Sequence, residues 1–584
     1  MSLSYLVFPA VLILTLLLLR FRLYRHVADV NHIFDERGRP GSLAVVVSVL
    51  MLVMIAAFVA VNGLRLWLYL SFLRSLWHLP SFAGTPRLVA VVLVSVVAGM
   101  AELTVLAHLG GNLLFTWIGT TRFRNPEPRP LPEDPPPVAV LVPSCDEDPE
   151  ALARSLSTLA RIRYPRLRVL LVENSREQVF KKAAHAVAAQ YDIEVVDLPN
   201  RGHKAGALND AEALLGDDVQ YTVVFDADQL IRDDFVTEAV ALLESDPRLA
   251  LVQTPQAYEN CGESLLACAA AQQQMLLYDC ILEAKSVLGR APCCGTNFVI
   301  RRRALREVGG WDESNLTEDL TTSYHLHARG WTSLYLRRIY AAGLAPPALS
   351  HYWKQQLRWG KGNTTLFLLL LKGVFRGRLR RVPARIIADY LWTSSFFVDT
   401  VAISLIAVLP TAVFIVSVLS GAANSVELSR LQLIYLSLYP LYLIVVLFPY
   451  LNMCLRGYPL RHMILLQGLL SVTGPVFLRG VRQAVMPEVG SQLMVSTPKL
   501  LRSRTMSRQR ILFTPQTAAF AGFVLAGSLL WSWAIVGQAG IVPWIVGFWV
   551  FVHALSLGHF FIFALESRSL AAQVEPYRST SRTL

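Results

Sequence analysis

Long apolar stretches occupy both ends of this 584-residue chain, and a section of mixed polar and apolar positions separates them. A helix needs about 17–25 residues, most of them apolar, to cross a bilayer. The first stretch is followed by Arg20, Arg22 and Arg25 and by no small-residue cleavage site, so we predict a retained helix there. We predict transmembrane helices at 3–19, within 43–71, within 88–118, and near 391–419, 431–453, 515–537 and 543–565.

The central section has a different pattern, in which short apolar runs alternate with stretches of helical periodicity. Such alternation is typical of a parallel β-sheet with helical crossovers, the Rossmann-like α/β arrangement. The predicted strands are 138–142, 168–172, 221–225 and 249–253, and the predicted helices lie near 149–161, 177–190 and 203–215. Ligands of such sheets bind at the carboxyl ends of the strands.

The pattern also predicts the boundaries between these regions. Residues 122–137 are proline-rich and form an extended linker between the first helices (1–121) and an α/β domain over 138–364. Downstream we predict interfacial amphipathic helices, transmembrane helices, an interfacial segment, two further transmembrane helices and a short cytoplasmic tail, at 365–390, 391–453, 454–514, 515–566 and 567–584. Within the interfacial segment, 462–478 has the length of a span but contains glycine and proline, and we interpret it as interfacial or re-entrant.

Composition supports a multi-pass membrane protein. Hydrophobic residues make up 54% of the chain and charged residues only 16%, whereas soluble domains carry about 25% charged residues. The net charge of +12 comes largely from arginines in short loops beside the spans. Because positively charged loops stay on the cytoplasmic side, we predict that these loops and the α/β domain lie on the cytoplasmic side of a plasma or inner membrane. Anionic lipid therefore explains the charge better than nucleic acid does, and we predict no nucleic-acid partner. The seven cysteines show no metal-binding spacing and are predicted to be reduced.

The most informative motif is Asp226-Ala-Asp228, directly after the apolar run 221–225. Two carboxylates at this spacing, at the end of a buried strand, suit Mg²⁺ or Mn²⁺, which prefer carboxylates together with substrate phosphates. We predict that Asp228 binds the metal and that Asp226 contacts the metal or a nucleotide. Lys204, in Lys-Ala-Gly-Ala-Leu-Asn209, is a candidate for binding donor phosphates.

Two further motifs complete a set that suits glycosyl transfer from a nucleotide donor. Thr317-Glu318-Asp319 offers a general base, Asp319, although the same carboxylate is also a candidate helix N-cap. Gln355-Gln-Leu-Arg358-Trp359 offers a guanidinium for diphosphate oxygens and an indole face for a sugar ring.

In this order, the three motifs resemble those of the processive family 2 membrane glycosyltransferases, which include bacterial cellulose synthase. The resemblance implies a cytoplasmic GT-A domain between transmembrane helices that form a secretion channel. It also implies an inverting, processive transfer of glucose from UDP-glucose to a growing β-glucan. Two segments favour a glucan: Gln253-Thr-Pro-Gln256, and Cys294-Gly295-Thr296-Asn297, which implies an acceptor-side role for its first three residues.

The resemblance extends to other segments, with departures. Met494-Val-Ser-Thr497-Pro-Lys499 is similar to the family's gating loop, although Met494 stands where the family has Phe. Glu173 stands where the family has an aspartate that contacts the nucleotide. We expect no attached PilZ domain, because only about 20 residues follow the last predicted span; a separate accessory secretion subunit is compatible with this.

The shared motifs leave alternatives open. A chitin- or hyaluronan-type synthase using UDP-N-acetylglucosamine would carry the same set. A non-processive lipid-sugar transferase would not explain Trp359, and a non-catalytic channel or scaffold would not need the intact carboxylates of all three motifs.

Overall fold

The computed structural model of the protein describes residues 46, 48–50, 53, 56, 67, 86–201, 204–419, 450–487, 514–536 and 541–567. In chain order, the first described elements are α1 (Pro86–Arg122), β1 (Val138–Ser144), α2 (Pro149–Leu159), β2 (Leu167–Glu173), α3 (Gln178–Ala189), β3 (Glu194–Asp197), α4 (Lys204–Ala213), β4 (Tyr221–Val224), β5 (Leu230–Ile231), α5 (Phe235–Ser245), β6 (Leu249–Gln253) and β7 (Ala257–Tyr258). They are followed by α6 (Leu265–Leu276), a π-helix (Leu277–Ile281), α7 (Leu282–Val287), β8 (Phe298–Arg301), α8 (Arg302–Val308), α9 (Glu318–Ala328), β9 (Thr332–Tyr335), β10 (Ala341–Gly343), α10 (Leu349–Phe375), α11 (Ala384–Leu419), α12 (Leu460–Val485), α13 (Pro515–Val536) and α14 (Ile541–Leu557).

A seven-stranded sheet in the order β3-β2-β1-β4-β8-β6-β9 forms the centre of the α/β domain. Its strands form because short apolar runs can be buried on both faces, and side chains alternate between those faces. Val138, Val140 and Val142 of β1 pack into one core with the helices α2 and α5, whereas Ala139 and Leu141 pack into the other with α4. A small second sheet, β5-β10-β7, lies beside it.

The sheet is mixed, which corrects the prediction of a purely parallel sheet. β1 is parallel to β2 and β4, and β6 is parallel to β9, but β8 is antiparallel to both β4 and β6. Three of the four residues of β8, Phe298–Ile300, are apolar like those of a parallel strand, and so short a run carries no signal for direction. Direction depends on the end of the sheet at which the chain re-enters.

Three helical stretches in the described ranges are long and apolar enough to cross a membrane: Leu265–Val287, Leu460–Val485 and Val550–Ser567. The first spans α6, the π-helix and α7 and is mostly buried inside the protein. It packs against α1 and α12, so its apolar surface is covered by other helices.

The second stretch, α12, is one unbroken helix through the segment 462–478, with Pro475 inside it. A re-entrant turn between residues 460 and 485 is therefore not formed. The segment predicted as interfacial, 365–390, consists of the end of α10, a short turn region and the start of α11, since α10 continues to Phe375 and α11 begins at Ala384.

A buried network of charges ties the domain to the helices around it. The Arg456 guanidinium lies 3.1 Å from Asp279 and 3.3 Å from Glu283, and it donates to Thr120 of α1 at 2.7 Å. Arg337 donates to Asp279 at 2.8 Å. Because each buried charge has an opposite partner, the network tolerates burial, and removal of one partner would leave another uncompensated.

Glycines allow α1 to approach the π-helix closely. A Cβ atom at Gly119 would lie 2.7 Å from the carbonyl oxygen of Cys280 and 3.3 Å from the backbone nitrogen of Ala284. These neighbours are backbone atoms, which cannot move aside as a flexible side chain would.

We predict that Gly119→Ala destabilises the protein by about 1–3 kcal/mol, because overpacking forces the two helices apart. The measurement is the thermal unfolding midpoint of the detergent-solubilised protein. Gly110→Ala is the matched control in the same helix, since nothing lies within 4 Å of a Cβ there. An equal effect of both substitutions would contradict the close approach.

Candidate active site

A cleft opens at the carboxyl ends of the central strands, and three sequence-distant segments meet in it. Asp226 and Asp228 follow β4, Asn174 follows β2, and Cys145 follows β1. Of the residues predicted from the sequence, the cleft is lined by Lys204, Asp226, Asp228, Cys294, Gly295, Thr317, Glu318, Asp319, Gln355, Arg358 and Trp359.

The two aspartates of the first motif are held in different ways. Asp228 is buried, and its Oδ2 accepts a hydrogen bond from the Leu344 backbone nitrogen at 2.9 Å. The Asp226 backbone nitrogen donates to the Thr296 hydroxyl at 2.9 Å. These contacts fix the loop after β4, so both carboxylates stay in the cleft.

The chemistry of this pair fits a hard divalent cation. Both residues offer carboxylate oxygens, and the described residues contain no group of three or more acidic, histidine or cysteine side chains that would form an all-protein cage. Mg²⁺ commonly binds through one or two carboxylates and completes its shell with substrate phosphates and water. Asp226 and Asp228 are thus suited to hold a metal that arrives with a phosphorylated ligand.

Lys204 stands at the start of α4 and reaches across the cleft. Its Nζ donates to Asp226 Oδ1 at 2.5 Å and to the carbonyl oxygen of Gly295 at 2.8 Å. Burial lowers the pKa of the ammonium, but Asp226 and Glu318 raise it more, and the net direction is upward. Lys204 is therefore a fixed positive charge among carboxylates.

Glu318 and Asp319 begin α9 and lie partly buried in the cleft. Asp319 Oδ1 accepts a hydrogen bond from the Leu320 backbone nitrogen at 2.8 Å. Burial, followed by the neighbouring charge of Glu318, raises the pKa of Asp319 to about 7. Burial also raises the pKa of Glu318. A carboxylate with a pKa near 7 is suited to accept a proton at neutral pH.

The Gln-x-x-Arg-Trp motif lies in the first half of α10 and faces the same cleft. A Cβ at Gly362 would lie 2.6–2.9 Å from atoms of Thr317, so α10 packs directly onto the segment before Asp319. Asn315 Nδ2 also donates to the Gly362 carbonyl oxygen at 3.0 Å. These contacts place Arg358 and Trp359 opposite the acidic residues.

Gly295 is the point where the segment 294–297 approaches Asp319. It has a φ of +87°, and a Cβ there would lie 3.2 Å from Asp319 Oδ2. Cys294 lines the cleft beside it, whereas Thr296 is fully buried and acts on the cleft through its bond to Asp226.

Glu173 also lies outside the lining, because it is fully buried and its Oε1 accepts from the Ser175 backbone nitrogen. Its neighbour Asn174 lines the cleft instead. The predicted gating-loop residues Met494, Thr497 and Lys499 are outside the described ranges.

The sequence reasoning missed several residues of the cleft. Asn200 donates to the Asn174 carbonyl oxygen at 2.6 Å, and Asp146, with a φ of +56°, accepts from the Arg176 backbone nitrogen at 2.9 Å. These bonds join the loops after β1 and β3 to the loop after β2. Pro143, Cys145, Glu147, Asn174 and Ala227 belong to the segments 143–147, 173–174 and 226–228, whose positions at the carboxyl ends of predicted strands indicate one shared crevice. The lining residues that the sequence did not indicate are Arg176, Asn200, Ala207, Gln256 and Leu316.

Two family models match the chain. The one described as "Glycosyltransferase like family 2" matches residues 135–362, and the one described as "Cellulose synthase" matches residues 304–458.

Similar proteins include the cellulose synthase catalytic subunit (UDP-forming) of Pseudomonas fluorescens (strain SBW25), which is 30% identical over 40% of this chain and 32% of its own length. Cellulose synthase 2 of Novacetimonas hansenii is 29% identical over 42% of this chain and 16% of its own length. The chain thus spans about a third or less of these curated relatives. Among solved structures, a mannosyltransferase from Pyrobaculum calidifontis in complex with GDP-mannose and Mn²⁺ is 17% identical over 67% of this chain and 99% of that one, with a TM-score of 0.46.

We predict that Asp319→Asn stabilises the protein more at pH 8 than at pH 5. The raised pKa means that the folded state holds the proton more tightly than the unfolded state, so stability is lost as the pH rises from about 4 towards 7. Asparagine has no such cost. After allowance for solvent screening of this partly exposed group, we expect the substitution to raise the free energy of unfolding at pH 8 by on the order of 1–2 kcal/mol. The measurement is the unfolding midpoint at both pH values.

Asp312→Asn is the control of opposite sign. Burial raises the pKa of Asp312, but hydrogen bonds from His325 and Ser314 outweigh burial and lower it. This substitution should destabilise the protein at neutral pH. A pH-independent effect of Asp319→Asn would contradict the raised pKa.

Proposed function

Since the chain is a cellulose synthase-like relative of glycosyltransferase family 2, as its motifs predicted, we propose that it is an inverting, processive polysaccharide synthase. It transfers glucose from UDP-glucose to a growing β-glucan and secretes the polymer through a channel formed by its own transmembrane helices. Its catalytic domain faces the cytoplasm.

The observation that carries this proposal is the convergence of three motifs on one cleft. Asp226, Asp228, Asp319, Arg358 and Trp359 come from β4, α9 and α10, and all of them line it. A scaffold or channel would have no need to bring two acidic motifs and an Arg-Trp pair together.

The donor end of the cleft is built for a diphosphate. A bound Mg²⁺ or Mn²⁺, held by Asp228 and Asp226, would neutralise charge on the departing diphosphate. Lys204 and Arg358 add positive charge from the protein itself, and the planar guanidinium of Arg358 suits two phosphate oxygens at once. Gln355, one turn earlier on α10, faces the same diphosphate. Glu173 does not reach the donor; buried beneath the cleft, it accepts from the Ser175 backbone nitrogen and so shapes the loop after β2.

Asp319 supplies the general base. Its carboxylate takes the proton of the acceptor hydroxyl while that oxygen forms a bond to the anomeric carbon of the donor sugar. The bond between the anomeric carbon and the diphosphate oxygen breaks, and UDP leaves with the electron pair. Attack from the face opposite UDP inverts the configuration. Thr317 and Glu318 directly precede this residue at the start of α9 and line the cleft with it.

The acceptor end is formed by Trp359, Cys294 and Gly295. An indole face packs well against the apolar face of a sugar ring. Gly295 leaves room beside Asp319 for the acceptor hydroxyl, and Thr296 supports this segment from below through Asp226.

We predict that membrane vesicles containing the protein make polymer from UDP-glucose with Mg²⁺ or Mn²⁺. Parallel reactions receive radiolabelled UDP-glucose or UDP-N-acetylglucosamine, and linkage-specific glucanases then digest the product. Asp319→Asn is the control, because it keeps the shape of the base and removes its function; it should bind UDP and form no product. Product from the amino sugar alone would replace the glucan assignment with a chitin- or hyaluronan-type synthase.

We also predict that Asp228→Asn loses metal-dependent UDP binding. Asparagine can still accept the hydrogen bond from Leu344, so the loop is retained while one anionic ligand is lost. Isothermal titration with UDP in the presence of Mn²⁺ should show at least about tenfold weaker binding. Asp233→Asn, at a half-exposed acidic residue after β5, is the matched control. Equal affinity of Asp228→Asn and wild type would remove Asp228 from the metal site.

A further inference from the structure

We infer that Asn209 is a positioning residue, which fixes the segment carrying Asp319 relative to the Lys204 end of the cleft. The inference rests on the proposed function. Asn209 does not line the cleft and touches no reacting atom, so its effect on transfer acts through the segment that it holds.

The Asn209 side chain brackets the backbone of one residue. Its Nδ2 donates to the Trp311 carbonyl oxygen at 2.9 Å, and its Oδ1 accepts from the Trp311 backbone nitrogen at 2.8 Å. Two such bonds fix both the position and the orientation of that residue. Trp311 is itself buried against Phe298 of β8, with ring centroids 5.5 Å apart.

Charged contacts reinforce the bracket. Asn209 Nδ2 also lies 2.8 Å from Glu313 Oε1, and the same oxygen accepts from Arg201 at 2.6 Å. Arg201 donates in addition to the Gly206 carbonyl oxygen of α4 at 3.1 Å. The start of α4 and the 311–313 segment are therefore joined at three side chains.

The turn before Trp311 is shaped to admit the amide. Gly310 has a φ of +89°, and a Cβ there would lie 2.8 Å from Asn209 Oδ1. Only a residue without a side chain can adopt this backbone conformation at that distance.

The far end of the same segment is fixed to α10. Asn315 donates to the Gly362 carbonyl oxygen at 3.0 Å and to the Thr321 hydroxyl at 2.9 Å. The residues that lead into Thr317-Glu318-Asp319 are thus held at two points, one on α4 and one on α10.

The geometry has a direct consequence for transfer. Lys204 and Asn209 lie five positions apart on α4, so about 7.5 Å of one rigid helix separates the contact with Asp226 from the contact with the base segment. The donor end and the base therefore keep a fixed separation. A base misplaced by about 1 Å can cost about 100-fold in rate.

We predict that Asn209→Ala lowers kcat for polymer formation by about 10- to 100-fold, while the apparent KM for UDP-glucose and the affinity for UDP stay within about threefold. Hydrogen–deuterium exchange of the peptide spanning 311–317 should rise. Asn125→Ala is the matched control, because Asn125 brackets the Arg337 backbone with two bonds of 2.8 Å far from the cleft. Asn125→Ala should change neither kcat nor the hydrogen–deuterium exchange of the 311–317 peptide.

A second variant tests the contact itself. Asn209→Asp keeps an acceptor for the Trp311 nitrogen but loses the donor and places a negative charge beside Glu313. Adding Glu313→Gln removes that repulsion and should restore at least about tenfold of the lost kcat, the change that about 1.4 kcal/mol produces.

The outcomes separate the inference from the function on which it rests. Normal kcat in Asn209→Ala, or an equal loss of kcat and UDP affinity, would overturn the positioning role. If the wild type forms no polymer from either sugar, the proposed function fails. In that case, hydrogen–deuterium exchange of the 311–317 peptide is the remaining test of the positioning role. Unchanged exchange in Asn209→Ala would overturn that role.

Discussion

The cleft depends on the ion pair between Lys204 and Asp226. Five carboxylates line this small space, and like charges at short range in a partly buried site repel strongly. The ammonium of Lys204 lies 2.5 Å from one of them and lowers the pKa of both Glu318 and Asp319 against the effect of burial. Because Lys204 also donates to the Gly295 carbonyl oxygen, the same ammonium aligns the segment around Gly295 with the acidic residues.

Much of this organisation could be predicted from the sequence, because it depends on local patterns. Short buried apolar runs have a clear signature, and the strands beginning at Val138, Leu167, Tyr221 and Leu249 lie where that signature places them. The GT-A-type α/β domain between apolar helices is confirmed. The motif residues also meet at the predicted edge of the sheet.

What could not be predicted depends on tertiary contacts. The direction of β8 follows from the route by which the chain re-enters the sheet, and no run of four residues encodes it. Glu173 lies at the expected strand end, but its carboxylate turns inward to the Ser175 nitrogen, a choice between two faces that spacing cannot resolve. The apolar stretch 265–287 has the composition of a membrane helix, and only its packing shows that protein covers it.

That same stretch bears on whether the catalytic domain can be separated from the rest of the chain. Glu566 accepts hydrogen bonds from the Leu265 and Leu266 backbone nitrogens at 2.7 and 3.1 Å, so α6 is capped by a residue about 300 positions away. A fragment excised at residues 138 and 364 would lose this cap and the helices that cover α6 and α7. It would expose a long apolar face to water and aggregate. The α/β domain has a distinct fold, but it does not remain soluble when separated from the helices that cover it. Its activity therefore has to be measured on the intact membrane protein.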